Sequence, residues 1–194
     1  MGDTHRALVV IDLQNDFTEG GRLAIEGGDD VARRIGAYIA AHRDRYDVTV
    51  ATADWHITPG THFADDPDYV DTWPVHCVAG TAGAAFDEEA AAGAGVISPL
   101  ELFDEVVYKG QRTPAYSGFE GSTAQGQPLA DRLTADGITD IDVIGIALSH
   151  GVPATALDGH SAGFATRVLT DLSVGVSEEL DELALARMAD AGIT

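Results

Sequence analysis

Between Asp54 and His76 the chain places three imidazoles, His56, His62 and His76, after the strand-end carboxylate of Asp54. Side chains two residues apart on extended chain project to the same side, so one cation can reach both Asp54 and His56. His62 and His76 can complete its shell. Neutral imidazoles with a carboxylate suit a divalent zinc, iron or manganese ion. Solvated or capping histidines are the plainer alternative. A second group of candidates stands at the ends of apolar runs, where Asp12 closes ALVVID and Lys109 closes EVVYK. Ten of the eleven basic residues are arginine, so Lys109 is the sole lysine. A chain that carries its surface charge on arginine but keeps one ammonium suggests a position whose proton affinity is tuned.

Bringing these groups together requires strand ends on one edge of a sheet. The apolar run over residues 8–12 reads as a buried parallel strand. A glycine-rich stretch follows, then a helix capped by Asp29, with Val31, Ile35 and Ile39 on its apolar face, ending near Tyr46. Further strands are expected over residues 47–53, 105–109, 140–146 and 165–169. Helices are expected over 128–136, 152–163 and 177–191, with a short one within 84–95. Residues 54–83 form a long aperiodic loop, and loops of that length in compact domains are usually functional or disordered. Strands alternating with helices imply right-handed crossovers. The expected fold is therefore a single α/β domain spanning residues 1–194, a three-layer α/β/α arrangement with a central, mainly parallel sheet. Ligands of such folds bind at the carboxyl ends of the strands, which is where Asp12, Asp54, Lys109 and the turn at 147–151 fall.

The chain has 194 residues, 11 basic against 32 acidic, and a net charge of −21. That balance argues against nucleic acid or an anionic membrane as partner, since both require a positive face. No apolar run approaches the ~20 residues that span a bilayer. Cys77 is the only cysteine, which excludes an internal disulfide. The expectation is a cytoplasmic protein acting on a small molecule, with homo-oligomer formation left open.

Four segments carry a family resemblance: IDLQNDF (residues 11–17), ADWHITPGTHF (53–63), TWPVHCVAGT (72–81) and PAYSGFEG (114–121). Together, and in this order, they resemble bacterial nicotinamidases, which belong to the isochorismatase-like cysteine hydrolases. The resemblance implies that Asp54, His56 and His76 ligate a divalent metal, zinc foremost, with His62 as fourth ligand in some members. It also implies Asp12 as catalytic base and Lys109 as the catalytic lysine. Phe17, Trp73, Tyr116 and His150 match residues lining the substrate pocket, where aromatic rings can stack on a planar ligand. Core packing is their alternative role.

One member of the expected triad is missing. The family's turn reads G-I-A-T-D-x-C-V, whereas this chain reads Gly145-Ile146-Ala147-Leu148-Ser149-His150-Gly151-Val152. Gly151 stands where the cysteine nucleophile is expected. Cys77 beside His76 reads as a small buried residue, and Ser149 would need a different backbone to replace the thiol. The amides of Ala147 and Gly151 would still form an oxyanion hole if the turn keeps its backbone. True isochorismatases resemble this turn, with glycine at the same position and acid cleavage of a vinyl ether by the strand-end Asp, but they lack the metal loop. Altered catalysis through Asp12 and Lys109 on a small aromatic or amide-type substrate is favoured. A non-catalytic binding protein and a nicotinamidase disabled by a Cys-to-Gly replacement are the alternatives.

Overall fold

The computed structural model describes residues 4–194. Six strands form one sheet: β1 (Arg6–Ile11), β2 (Val48–Asp54), β3 (Glu105–Lys109), β4 (Ser122–Thr123), β5 (Asp140–Ile146) and β6 (Ala165–Val174), in the order β4-β3-β2-β1-β5-β6. All neighbouring pairs are parallel except β3 with β4. Every residue of β2 is buried, as expected of a strand covered on both faces. Five helices flank the sheet: α1 (Gly28–His42), α2 (Glu88–Ala94), α3 (Leu129–Ala135), α4 (Gly151–Ser161) and α5 (Glu178–Asp190).

The alternation within β1 separates the two cores. Leu8 and Val10 pack with Val31, Ile35 and Ile39 of α1, while Ala7, Val9 and Ile11 pack with Leu129, Leu133, Val152, Ala156 and Met188 of α3, α4 and α5. Fully burying a side chain such as Leu8 or Ile35 contributes about 1.5–3 kcal/mol. Between α1 and α2 the backbones come close at Gly36 and Gly93, where an added Cβ would run into the carbonyls of Ala90 and Arg33. The expected three-layer α/β/α architecture is the observed one.

Several boundaries differ from expectation. Asp29 does not cap α1: the cap is Gly27 in a left-handed conformation (φ 87°), and Asp29 lies in the first turn, where an acidic side chain still favours the helix N-terminus. The helix ends at His42 and a 3₁₀ turn carries the chain to Arg45. Strand β6 runs on to Val174 through a register jump, from Val143 opposite Val168 to Gly145 opposite Ser173. The two-residue β4 is too short to leave a periodic signal.

From β1 the chain crosses to β2 on one side, and β5 returns on the other. The strand order therefore reverses between β1 and β5, and the crevice beyond their carboxyl ends is the place where this architecture opens a pocket. Asp12 follows β1 directly, and the turn before α4 follows β5.

Candidate functional site

At the carboxyl edge, β2 and β3 end opposite each other, with Asp54 paired in register to Lys109. The Lys109 ammonium, only 2% exposed, lies 2.7 Å from Asp12 Oδ2 and 2.5 Å from Asp54 Oδ1. Thr52, two residues before Asp54 and so on the same face of β2, donates its hydroxyl to Asp12 Oδ1 at 2.6 Å and accepts from the Asp12 amide at 3.2 Å. Asp12 itself adopts a left-handed backbone (φ 46°) as the chain leaves the strand. Gln14 ties the two strand ends together by accepting from the Asp54 amide at 2.9 Å and donating to the Asp54 carbonyl at 2.8 Å.

Burial and charge pull these groups in opposite directions. Burial pushes the Asp12 carboxyl up to about 6, with the Asp54 charge adding to it and Lys109 opposing it. Burial also resists ionisation of Asp54, but Lys109 and the facing His56 and His76 hold it well below the usual carboxylate range. Burial disfavours the Lys109 cation, yet the two carboxylates outweigh it and keep the ammonium protonated. The two acids thus differ: Asp54 stays ionised, while Asp12 exchanges a proton near neutrality.

Asp54 also faces the imidazoles. Its Oδ2 lies 3.5 Å from His56 Nε2 and 3.6 Å from His76 Nε2. His56, His62 and His76, all buried, each direct one ring nitrogen into a space where these atoms lie within 4.8 Å of one another. His56 Nδ1 lies 2.6 Å from the Gly110 carbonyl and His76 Nδ1 lies 2.8 Å from the Pro74 carbonyl. Each Nδ1 then carries the proton, which leaves the Nε2 lone pair free. His56 Nε2 and His62 Nδ1 are buried without any hydrogen-bond partner. Burial and the neighbouring imidazoles push His62 down to about 4, so it stays neutral. Orphaned buried nitrogens beside an ionised carboxylate fit a divalent cation, for which His56, His62 and His76 are grouped, with Asp54 facing two of them.

These groups open onto a cavity of about 340 Å³. Phe17, Trp73, Tyr116, His150, Ala147 and Gly151, all expected from the sequence, line it together with Asp12, Asp54, His62, His76 and Lys109. His56 is fully buried behind them. Trp73 Nε1 donates to the Tyr116 hydroxyl at 2.9 Å, and the His150 ring lies 5.5 Å from Trp73 and 6.2 Å from Tyr116. The loop carrying Tyr69 and Trp73 is shaped by Asp68, whose carboxylate accepts from the amides of Val70, Asp71 and Thr72. Cys77 is fully buried and its amide donates to Asp16 Oδ2 at 2.6 Å. Ser149 does not line the cavity.

The turn after β5 has its own geometry. The Ile146–Ala147 peptide is cis. Among the described residues, the amides of Ala147 and Gly151 donate no hydrogen bond. A Cβ built on Gly151 would stand 3.4 Å from Asp12 Oδ2 and 2.9 Å from a methyl of Ile11. Arg22, Leu23, Ala24, Ile25, Tyr69 and Val176, not anticipated from the sequence, also border the cavity. The segment 22–25 lies inside the glycine-rich stretch, whose only signal was irregular backbone. Thr52 could have been found from its i, i+2 relation to Asp54.

The isochorismatase-domain profile matches residues 6–194. The nicotinamidase/pyrazinamidase of Mycobacterium tuberculosis is 47% identical over 188 residues, covering 97% of this chain and 96% of that one. Among solved structures, the pyrazinamidase of Pyrococcus horikoshii in complex with zinc is 34% identical with a TM-score of 0.79, covering 98% of this chain and 97% of the other. PnC1 of L. infantum in complex with nicotinate is 30% identical with a TM-score of 0.79, covering 98% and 91% respectively. The extent of these matches, on the fold already described, places the chain in the isochorismatase family.

Proposed function

We propose that the protein is a metal-binding hydrolase that acts on a small aromatic or amide-type substrate through Asp12 and Lys109, without a cysteine nucleophile. The observation that carries this reading is the Asp12 carboxyl. It is poised near 6 beside a buried ammonium, and it borders the space that a side chain at position 151 would fill. With glycine at 151, that space can admit a water. Ionised Asp12 takes a proton from this water as the water oxygen bonds to the carbonyl carbon. The same proton passes to the leaving nitrogen as the C–N bond breaks. Lys109 keeps Asp12 from becoming too basic, and the free amides of Ala147 and Gly151 meet the developing oxyanion. Protonated Asp12 can instead donate to an ether oxygen, the alternative acid chemistry of the same carboxyl.

Zinc is the proposed occupant of the Asp54, His56, His62 and His76 cluster. The nitrogen-rich donor set suits it, and the Pyrococcus relative was solved with zinc. A divalent ion there supplies a Lewis acid that orients or polarises a bound ligand. Phe17, Trp73, Tyr116 and His150 supply aromatic walls for a planar ring.

A second reading is favoured by one observation. Gly151 does not have a positive φ, and its Cβ direction leads toward Asp12, the placement a nucleophile there would need. On that reading the chain is a nicotinamidase scaffold disabled by the loss of a thiol, which leaves a ligand-binding protein. Ammonia release from nicotinamide and from bulkier aromatic amides, by metal-loaded wild type, Asp12→Asn and Gly151→Cys, separates the two. Turnover by the wild type that disappears in Asp12→Asn at unchanged metal content supports the first reading. Turnover by Gly151→Cys alone overturns it in favour of the second.

A further inference from the structure

We propose that Ser149 locks His150 in the neutral tautomer with its proton on Nε2, making His150 a fixed hydrogen-bond donor to an acceptor oxygen of the ligand. The tautomer follows from the hydrogen-bond inventory around one hydroxyl. Ser149 Oγ lies 2.8 Å from His150 Nδ1 and 3.2 Å from the Val176 amide nitrogen. The amide can only donate, so it fills a lone pair of Oγ. The hydroxyl proton then has His150 Nδ1 as its only recorded acceptor among the described residues. The reverse arrangement would aim two donors at Oγ and leave its own proton without a protein acceptor among the described residues. A neutral imidazole whose Nδ1 accepts must carry its proton on Nε2.

The rest of the surroundings make that proton available. Burial lowers the affinity of His150 for a second proton, so the ring stays neutral at physiological pH. Its Nε2 makes no hydrogen bond to the protein among the described residues, and the ring lines the cavity. Trp73 packs edge-on against it at 83° and Tyr116 lies nearly parallel at 29°, so the donor is held between two aromatic walls. A fixed N–H on a cavity wall selects ligands bearing a carboxylate, an amide carbonyl or an ether oxygen, and disfavours a purely donating group at that point.

The ligand half of this inference rests on the proposed function, whereas the tautomer does not, and the test treats them separately. Long-range ¹H–¹⁵N spectra of the histidine rings in the metal-loaded protein, with His150 identified by its loss in His150→Phe, should show the proton on Nε2. In Ser149→Asp, whose carboxylate can only accept, the proton should move to Nδ1. A wild-type ring carrying its proton on Nδ1 overturns the lock. Nicotinate and pyridine then serve as probes with and without the oxygen. Nicotinate should shift the His150 Nε2 proton downfield, and His150→Phe should weaken nicotinate about tenfold, the scale of one lost hydrogen bond to a charged group, with pyridine unchanged. Equal losses for both probes, or nicotinate binding that leaves the His150 resonance in place, overturn the donor role. Failure of nicotinate to bind at all overturns both the ligand reading of the cavity and the donor role, with the tautomer result still deciding the lock.

Discussion

Replacing Lys109 with methionine removes the ammonium from between Asp12 and Asp54 while keeping most of the aliphatic stem. The two carboxylates, 4% and 5% exposed, are then left without the cation that lies 2.7 Å from one and 2.5 Å from the other. Thr52 still donates to Asp12, but among the described residues no other donor reaches Asp54 Oδ1. Breaking one buried ion pair costs about 3–5 kcal/mol. A charge pair ~4 Å apart at an effective dielectric of about 20 interacts on the same scale. For a chain of this size each kcal/mol moves Tm by about 2–4 °C, so the expected fall is roughly 6–20 °C. The pH dependence gives a second check. Asp12 in the wild type is already raised from 3.8 to about 6, and losing Lys109 raises it further. A carboxyl whose folded value is raised contributes stability that is present at low pH and lost as pH rises through that value. The variant therefore regains more stability than the wild type between about pH 8 and about pH 6, and the gap narrows. Thermal unfolding of both metal-loaded proteins at the two pH values measures this. A Tm within 2 °C of wild type, or a gap that widens on acidification, refutes this account of the Asp12–Lys109–Asp54 ion pairs.

The pH profile of turnover should reveal the role of Asp12. With Asp12 as base, kcat/KM on an amide rises with pH through about 6; a falling limb there instead assigns Asp12 as the acid. Gly110→Ala should disturb the cation cluster from outside it. The new Cβ would lie 2.6 Å from His56 Cε1 on a backbone with φ +69°, and the Gly110 carbonyl is the partner of His56 Nδ1. Metal affinity should fall about 10–100-fold in a competitive chelator titration, and unchanged affinity would show that His56 does not depend on this support. Gly151→Cys should fold, because its only close contact below 3.0 Å is a side-chain methyl of Ile11. Its cost should stay within the ~1–3 kcal/mol of a mildly overpacked core, readable as a small Tm change. A collapse of Tm would mean that the turn cannot accept any side chain.

Much of the candidate site is local in the chain and was legible there. The i, i+2 pair Asp54 and His56, the two further histidines, the strand-end Asp12 and the sole lysine are all visible as residue types at particular spacings. The alternation of apolar runs sufficed for the layered α/β fold, because strand and helix periodicities are set by neighbours in sequence. Even the expectation of a glycine in place of a cysteine at position 151 came from reading one turn.

What only the tertiary structure decided is how these groups share protons and space. The parallel pairing of β2 with β3 sets Asp54 opposite Lys109, and β1 beside β2 brings Thr52 to Asp12; neither contact has a local signature. That Asp12 is poised near 6 while Asp54 is held ionised depends on which carboxylate also faces the imidazoles, a property of three dimensions. Gly27 rather than Asp29 caps α1 because the incoming chain turns in a left-handed conformation, which composition alone does not specify. Arg22 and Val176 reach the cavity from segments far apart in the chain and without periodicity. The polarity of His150 depends on an amide at Val176 meeting Ser149 across 27 residues of sequence. Residue types and short spacings supplied the reactive groups. The folded sheet set their pairings, because electrostatics and hydrogen bonding act through distances that sequence separation does not encode.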